Sequence, residues 1–499
     1  MLCDPRCRSR IFRAMRRSSR STRPSRRPQQ GGFIYIILAS FLSVSAAFMV
    51  AQTARPEASR ENDRKNANVM QHVKDALIAY AVTQVVVRNP NSSPLLPVAA
   101  PTRPGELPCP DLDGDGYEDL ICVAGAVGRV PWRTLAIQEP KDATGETLWY
   151  AVAGPFRRLP LGAAQINSDT VGNLTVRGAN GAPITNTGAA VIFAPGPPLP
   201  GQARISAPLL PANFLEAYRD DVGTVIGNNG LIGGPLVIAS ASSSFNDQVA
   251  VLTTSELIPR VELRVATEVR QILDQYQKNS EHGTLPWAVS FDSLSTISAV
   301  GVNRGRLPLL ALPDNWGSVT SEGKTLPSLP NWFIANGWRD YLYYTFSGLL
   351  MLSQRSSCTT CTSDFLSLGG GAGYLALIFT PGTSLVGPRT YTRLNHYLET
   401  NDAADDQYVV PPYVKLDQDR VTYIPTLPRT QCQGVGTQLA ALAPCGQPSR
   451  INGMCLRLAT QLQACGCAAA AVQLITTPCE NTLNPAVCRE ARTGAAACG

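Results

Sequence analysis

The sequence predicts an α+β protein. An N-terminal transmembrane helix runs on into a helix-plus-antiparallel-sheet domain, a second domain duplicates the first, and a small disulfide-rich module closes the chain. Three observations predict this. An uncharged run of 19 residues, Phe33 to Ala51, follows a leader with ten arginines in its first 27 residues. Seven short sequence echoes recur in one order through the body. Eight cysteines crowd the stretch from Cys432 to Cys498.

The leader, 1–32, and the apolar segment, 33–52, come first. A helix of 19 residues reaches roughly 28 Å, close to the hydrocarbon thickness of a bilayer. Arginine ahead of the span predicts that the N-terminus stays in the cytoplasm and that the rest is exported. Ten of the 43 basic residues and one of the 37 acidic ones fall in the first 30, which leaves 33 against 36 in a near-neutral body. Such a body argues against nucleic-acid binding, and the apolar run directly after the arginines argues against reading them as a nucleic-acid patch. Two of the 14 cysteines, Cys3 and Cys7, precede the span and twelve follow it. In an exported chain they are disulfide candidates before they are metal ligands.

Beyond the span, 53–255 reads as the first α+β domain and 256–427 as its duplicate. Val69, Val73, Ala76, Leu77 and Tyr80 recur at helical spacing within Asn62–Tyr80, and Pro56 predicts a kink just before it. His72–Tyr80 returns as Glu268–Tyr276, Gly105–Pro108 as Gly283–Pro286, and Gly128-Arg-Val-Pro131 as Gly305-Arg-Leu-Pro308. Leu148–Val152 is echoed by Leu342–Phe346, Val191–Gly196 by Leu377–Gly382, Phe214-Leu-Glu216 by Tyr397-Leu-Glu399, and Asp247-Gln-Val249 by Asp419-Arg-Val421. Each unit is one helix followed by short β-rich runs between Gly, Pro and Asn turns. The second helix, Val261–Gln277, puts Val265, Val269, Ile272, Leu273 and Tyr276 on one face. It is amphipathic, so it is expected to cover its own sheet rather than cross a membrane.

A basic leader ending in Gly31-Gly32, with Phe33 opening a long apolar helix, resembles a type IV prepilin or type II secretion pseudopilin of Gram-negative bacteria. The later order of helix, Leu-Pro-Cys-Pro-Asp, Gly-Arg-x-Pro-Trp and Leu-Trp-Tyr-Ala-Val is similar to pseudopilin-like proteins. The resemblance covers 31 to about 255 and reaches 427 through the repeat. It implies cleavage after Gly32 and methylation of Phe33. It also implies other pilin-like subunits and the inner membrane as partners, with the body in the periplasm or at the cell exterior. One departure stands out. The family usually has glutamate at the fifth mature position, where this chain has Ile37. That implies a subunit outside the usual interior register of a filament, as in tip-like minor members. Two other readings of the segment stay open: an uncut signal anchor, and a signal peptide cleaved near Val44-Ser45-Ala46.

Asp111-Leu-Asp113-Gly-Asp115-Gly-Tyr-Glu-Asp119 alternates acidic residues along a glycine-bearing loop, the arrangement that converges hard oxygens on a calcium ion. Asp111, Asp113, Asp115 and Asp119 are the candidate ligands, with a solvated acidic turn as the alternative. The twelfth position, where an EF-hand needs glutamate, is Cys122, which excludes a complete EF-hand. Cys109 and Cys122 flank the loop and are placed to clamp it. The second unit lacks the acidic stretch, with Trp287 following Pro286 where Cys109 follows Pro108.

In the tail module, 428–499, Cys432, Cys445, Cys455, Cys465, Cys467, Cys479, Cys488 and Cys498 read as staples for a segment too small to bury a core. Zinc is disfavoured, because the tail has no histidine and no paired Cys-x-x-Cys knuckle. Cys358-Thr-Thr-Cys361 lies in a Ser/Thr/Gly-rich insertion and reads as structural rather than as a redox pair. Nothing points to an enzyme. The chain has three histidines, His72, His282 and His396, none in a metal signature, and neither a Gly-x-Ser-x-Gly elbow nor a phosphate loop. Asp220-Asp221 and Asp405-Asp406 read as solvated surface.

The sequence therefore predicts a structural or assembly subunit working by contact, with calcium as its candidate cofactor and no small-molecule substrate. The alternatives are a signal-anchored calcium-binding adhesion protein of the periplasm or surface, and an exported hydrolase using acidic residues.

Overall fold

The computed structural model describes 57–83 and, with short breaks, 103–347 and 366–425. The span 33–52, the Gly32–Phe33 junction, Pro56, Asp220-Asp221, Cys358, Cys361, Asp405-Asp406 and the module 428–499 with its eight cysteines lie outside the described residues. Among the described residues no helix is long and apolar enough to cross a membrane. The fold of the described residues is α+β.

Helix α1 spans Glu57–Thr83, a turn longer at its start than the apolar spacing alone suggests. It buries Met70, Val73, Leu77, Tyr80 and Ala81 at intervals of three and four, while Arg60, Glu61, Arg64 and Lys65 face solvent. Helix α2 spans Thr254–Asn279 and begins before the expected Val261. Its first turn is set by Thr253 and Glu256, whose carboxylate accepts the Thr253 backbone N–H at 2.9 Å. Leu257 and Ile258 continue the apolar face upstream of Val261, but Pro259 lies inside the helix and reads in sequence as a helix breaker.

Two six-stranded sheets follow the two helices, and their strand orders correspond one for one. In the first, β1 (Val127–Arg129), β2 (Trp149–Val152), β4 (Pro183–Ala194), β3 (Leu174–Gly178) and β7 (Leu236–Ile238) lie in that order, and β8 (Gln248–Thr253) also pairs with β4. In the second, β9 (Arg304–Gly305), β10 (Tyr343–Phe346), β12 (Gly371–Thr380), β11 (Leu366–Leu368) and β13 (Gln407–Tyr408) repeat the order, and β14 (Arg420–Pro425) pairs with β12. A short ribbon of β5 (Ala217–Arg219) and β6 (Val225–Gly227) belongs to the first half.

Two expectations need correction. The sheets are mixed rather than antiparallel, since β7 runs parallel to β3 and β13 parallel to β11. Each of these strands returns after a long excursion, which is what a parallel neighbour requires. The second helix does not cover its own sheet alone. It packs on β12 and β14, but also on β4, β8 and α1. Met70, Val73 and Leu77 of the first half accordingly share one core with Val261, Trp287 and Tyr344 of the second. No linker separates the halves, because Thr253 ends β8 and caps α2, so a boundary at 255/256 falls inside a helical turn.

The seam between the halves is also polar. Asn336 Oδ1 accepts the Ile166 N–H at 2.9 Å, and the Asn167 side-chain amide donates to Asn336 O at 3.1 Å. Glu262, fully buried on α2, accepts the Ser168 hydroxyl at 2.6 Å and the Gly382 N–H at 2.9 Å, and pairs with Arg420 at 3.3 Å. On the opposite faces of the sheets, Trp149, Phe193 and Phe214 form one apolar layer and Tyr343, Phe379 and Tyr397 form its counterpart.

Candidate metal centre

The acidic loop starts from a rigid point. Asp111 exchanges both backbone hydrogen bonds with Arg129 on β1, at 3.0 and 2.7 Å. Gly128 sits beside this exchange, and a Cβ there would lie 2.6 Å from Asp111 O, so only glycine fits. The Cys109–Cys122 disulfide, with both half-cystines buried, ties the start of the loop to its end. Gly116, at φ +87°, lies against Trp132, where a Cβ would come within 2.7 Å of the indole.

From that base the loop folds on itself. The Asp111 carboxylate accepts the Gly114 N–H at 2.6 Å and the Gly116 N–H at 2.8 Å. Asp113 accepts the Asp115 N–H at 3.0 Å, and Asp115 accepts the Tyr117 N–H at 2.7 Å. These are Asx-type turns that curl successive carboxylates toward one side. One oxygen each from Asp111, Asp113 and Asp115 lies within 4.8 Å of the others. That spread is about the diameter of a calcium coordination sphere, whose ligands sit at roughly 2.4 Å. Burial, then the neighbouring charges of Asp113 and Asp115, pushes Asp111 up to about 6.

Asp119 stands apart from this trio. Its carboxylate accepts the Leu112 N–H at 2.6 Å and so closes the loop. Glu118 turns inward, a role the sequence pattern misses. It pairs with Arg158, accepts the Tyr80 hydroxyl of α1 at 3.4 Å and accepts the Cys109 N–H at 3.3 Å. Burial raises its carboxyl, and the Arg158 guanidinium works against that rise. Its position between Tyr117 and Asp119 in an acidic run conceals it, since local pattern cannot say which acid turns inside. Through Glu118 the loop is fastened to the C-terminal turn of α1.

The second half has the same bridge without the loop. Val289 exchanges backbone hydrogen bonds with Arg306 at 2.9 and 2.7 Å, which places valine where the first half has Asp111. The donor set of three carboxylates is hard and oxygen-only, which suits calcium and not a soft thiophilic metal.

A second feature is an open cleft of about 350 Å³ beside the β5–β6 ribbon, bordered by Gln202, Leu215, Glu216, Asn229, Ser243 and Ser244 among others. Glu216 is the single carboxyl residue among the described residues of its wall.

No protein-family model matches this chain, no curated protein matches it, and no solved structure matches it.

Proposed function

We propose that this chain is a pilin-like assembly subunit resembling a minor pseudopilin, anchored in a bacterial inner membrane by 33–52 and presenting two related heads to the periplasm or cell exterior. It acts by packing with other pilin-like subunits in a type II secretion or type IV pilus-like filament. The observation that carries this reading is the layout of 57–253: one long helix laid by its apolar face on the sheet that follows it, with the same order repeated over 254–425. The leader ending at Gly32 and the departure at Ile37 add that the subunit is minor or tip-located.

Calcium belongs to this reading as a structural ion of the first head, held by Asp111, Asp113 and Asp115. It would neutralise three crowded carboxylates in a loop already preset by the disulfide and by Glu118.

Co-expression with a prepilin peptidase tests the assembly role. The expected product begins at Phe33, carries an N-methyl group and disappears when the peptidase is absent. A mature chain that is indifferent to the peptidase overturns the reading in favour of a signal-anchored surface or periplasmic protein that uses the same calcium loop for adhesion. An exported hydrolase has less support, because acid hydrolysis by a carboxyl pair needs two groups facing the substrate, and among the described lining residues Glu216 is the one carboxyl that borders the cleft.

A further inference from the structure

Glu216 and Asp247 grip each other's backbone. Glu216 Oε2 accepts the N–H groups of Asn246 and Asp247, at 2.9 and 3.1 Å. Asp247 Oδ2 in turn accepts the Glu216 N–H at 3.0 Å and the Asn228 side-chain amide at 3.0 Å. Gln202 donates to Glu216 Oε1 at 2.6 Å. Asn228, fully buried, bonds Val237 N and O of β7 at 2.9 and 3.2 Å, so the arrangement joins the ribbon β5–β6, strand β7 and the start of β8. Among the described residues Asp247 Oδ1 is buried without a hydrogen-bond partner, and the reciprocal backbone bonds bring the two carboxyl groups side by side. Like charges held this close in a buried place favour keeping a proton on the pair.

Among the described residues no lysine or arginine forms an ion pair with either acid. Arg204 reaches the network through Gln202. It is spent on Gln202 Oε1, the carbonyls of Gly196, Asn213 and Phe214, and Glu146. Arg129 lies over the Phe214 ring, 5.4 Å from its centroid. Asp142 accepts the Gly196 N–H, Asp63 of α1 accepts the Gln248 side-chain amide, and Tyr218 rests edge-on against Phe245. Glu216 borders the cleft described above, which gives a proton a route to solvent.

We propose that Glu216 and Asp247 share one proton and form a pH-sensitive latch, which fastens the excursion between β4 and β8 to the sheet and loosens it as the medium turns alkaline. The echo pair Glu399 and Asp419, outside the described residues, encodes the same two acids in the second half.

Burial first, then the Glu216 charge, raises the Asp247 carboxyl well above the usual carboxylate range. The folded latch therefore keeps a proton that the unfolded segment releases above about pH 4. Its stabilisation is complete below that pH and is lost as pH rises through the folded value. Linkage of one proton shifts the opening equilibrium by up to about tenfold per pH unit between about pH 4 and the folded value, and not beyond it.

The test is hydrogen exchange of the full chain in detergent, with chelator present, from about pH 5 to about pH 9 after correction for intrinsic exchange. Wild type is expected to lose protection across 211–247 as pH rises. Asp247→Asn donates its amide to Glu216 as the protonated acid would, so it stays flat, and Glu216→Gln gives the same result should the first variant fold poorly. Infrared spectra should show a protonated carboxyl band at neutral pH that either substitution removes. A flat wild-type profile, an undiminished slope in both variants, or absence of that band overturns the proposal. So does full protection at alkaline pH on adding calcium alone, which makes the pair a cation seat.

Discussion

The two halves of the body, 57–253 and 254–425, are built on one frame, and one corner where they differ is the most informative. The frame agrees down to single hydrogen bonds. Tyr150 donates to Pro108 O at 3.1 Å and Tyr344 donates to Pro286 O at 3.2 Å. Arg204 bonds Gly196 O and Asn213 O while lying 5.3 Å from the Phe214 centroid. Arg389 bonds Gly382 O and His396 O while lying 5.1 Å from the Tyr397 centroid. The difference is the segment after Pro108 and Pro286. In the first half it is an acidic loop clamped by a disulfide and tied to Tyr80. In the second it is Trp287, buried against Phe346, while Tyr276 packs on Trp316 and donates to Asp314 O at 2.5 Å. The frame therefore does not need the loop. The acidic residues occur in one half alone, and covalent linkage and aromatic packing are two solutions for the same corner.

The largest expected effect comes from breaking the aromatic solution. Trp287→Ala empties a fully buried site in the core the halves share and should cost about 3–5 kcal/mol. In denaturant unfolding both halves should lose stability together. Independent loss of the second half alone would show that the shared core is not cooperative. Next is the covalent solution. Replacing Cys109 and Cys122 by serine opens a ring with a sequence separation of 13, at a cost of about 3 kcal/mol, and should also weaken any stabilisation by calcium. The arginine clamps sharpen the comparison further. Arg204→Met and Arg389→Met should each cost about 2 kcal/mol, since each removes charge-assisted bonds to buried carbonyls. Values differing by more than about the size of one such bond would mean that the clamps are not equivalent. The smallest effect is at the junction, where Glu256→Ala should cost about 1 kcal/mol through loss of the α2 cap together with its pairing to Lys74 at 2.6 Å.

Much of the frame was legible because it is local. The apolar spacing of Val73, Leu77 and Tyr80 and of Val265, Val269 and Leu273 locates both helices, and the β-rich echoes fall on β2, β4, β10 and β12. The Cys109–Cys122 clamp and the three converging aspartates follow from spacing on one short loop. What escaped is long-range. The partners of Arg204 and Arg389 come from separate segments, so no window of sequence contains a clamp. Glu262 looks like one of several polar residues on an amphipathic helix, yet it is buried because α2 has sheet on more than one side. The parallel placement of β7 and β13 depends on where a long excursion returns, which periodicity cannot encode.

The central claim is one frame used twice and specialised once, and hydrogen exchange of the full chain with and without calcium tests it most directly. The account predicts calcium-dependent protection of 109–134 and of the last turn of α1 around Tyr80, with 285–312 unchanged. No response to calcium, or an equal response in both segments, would contradict it.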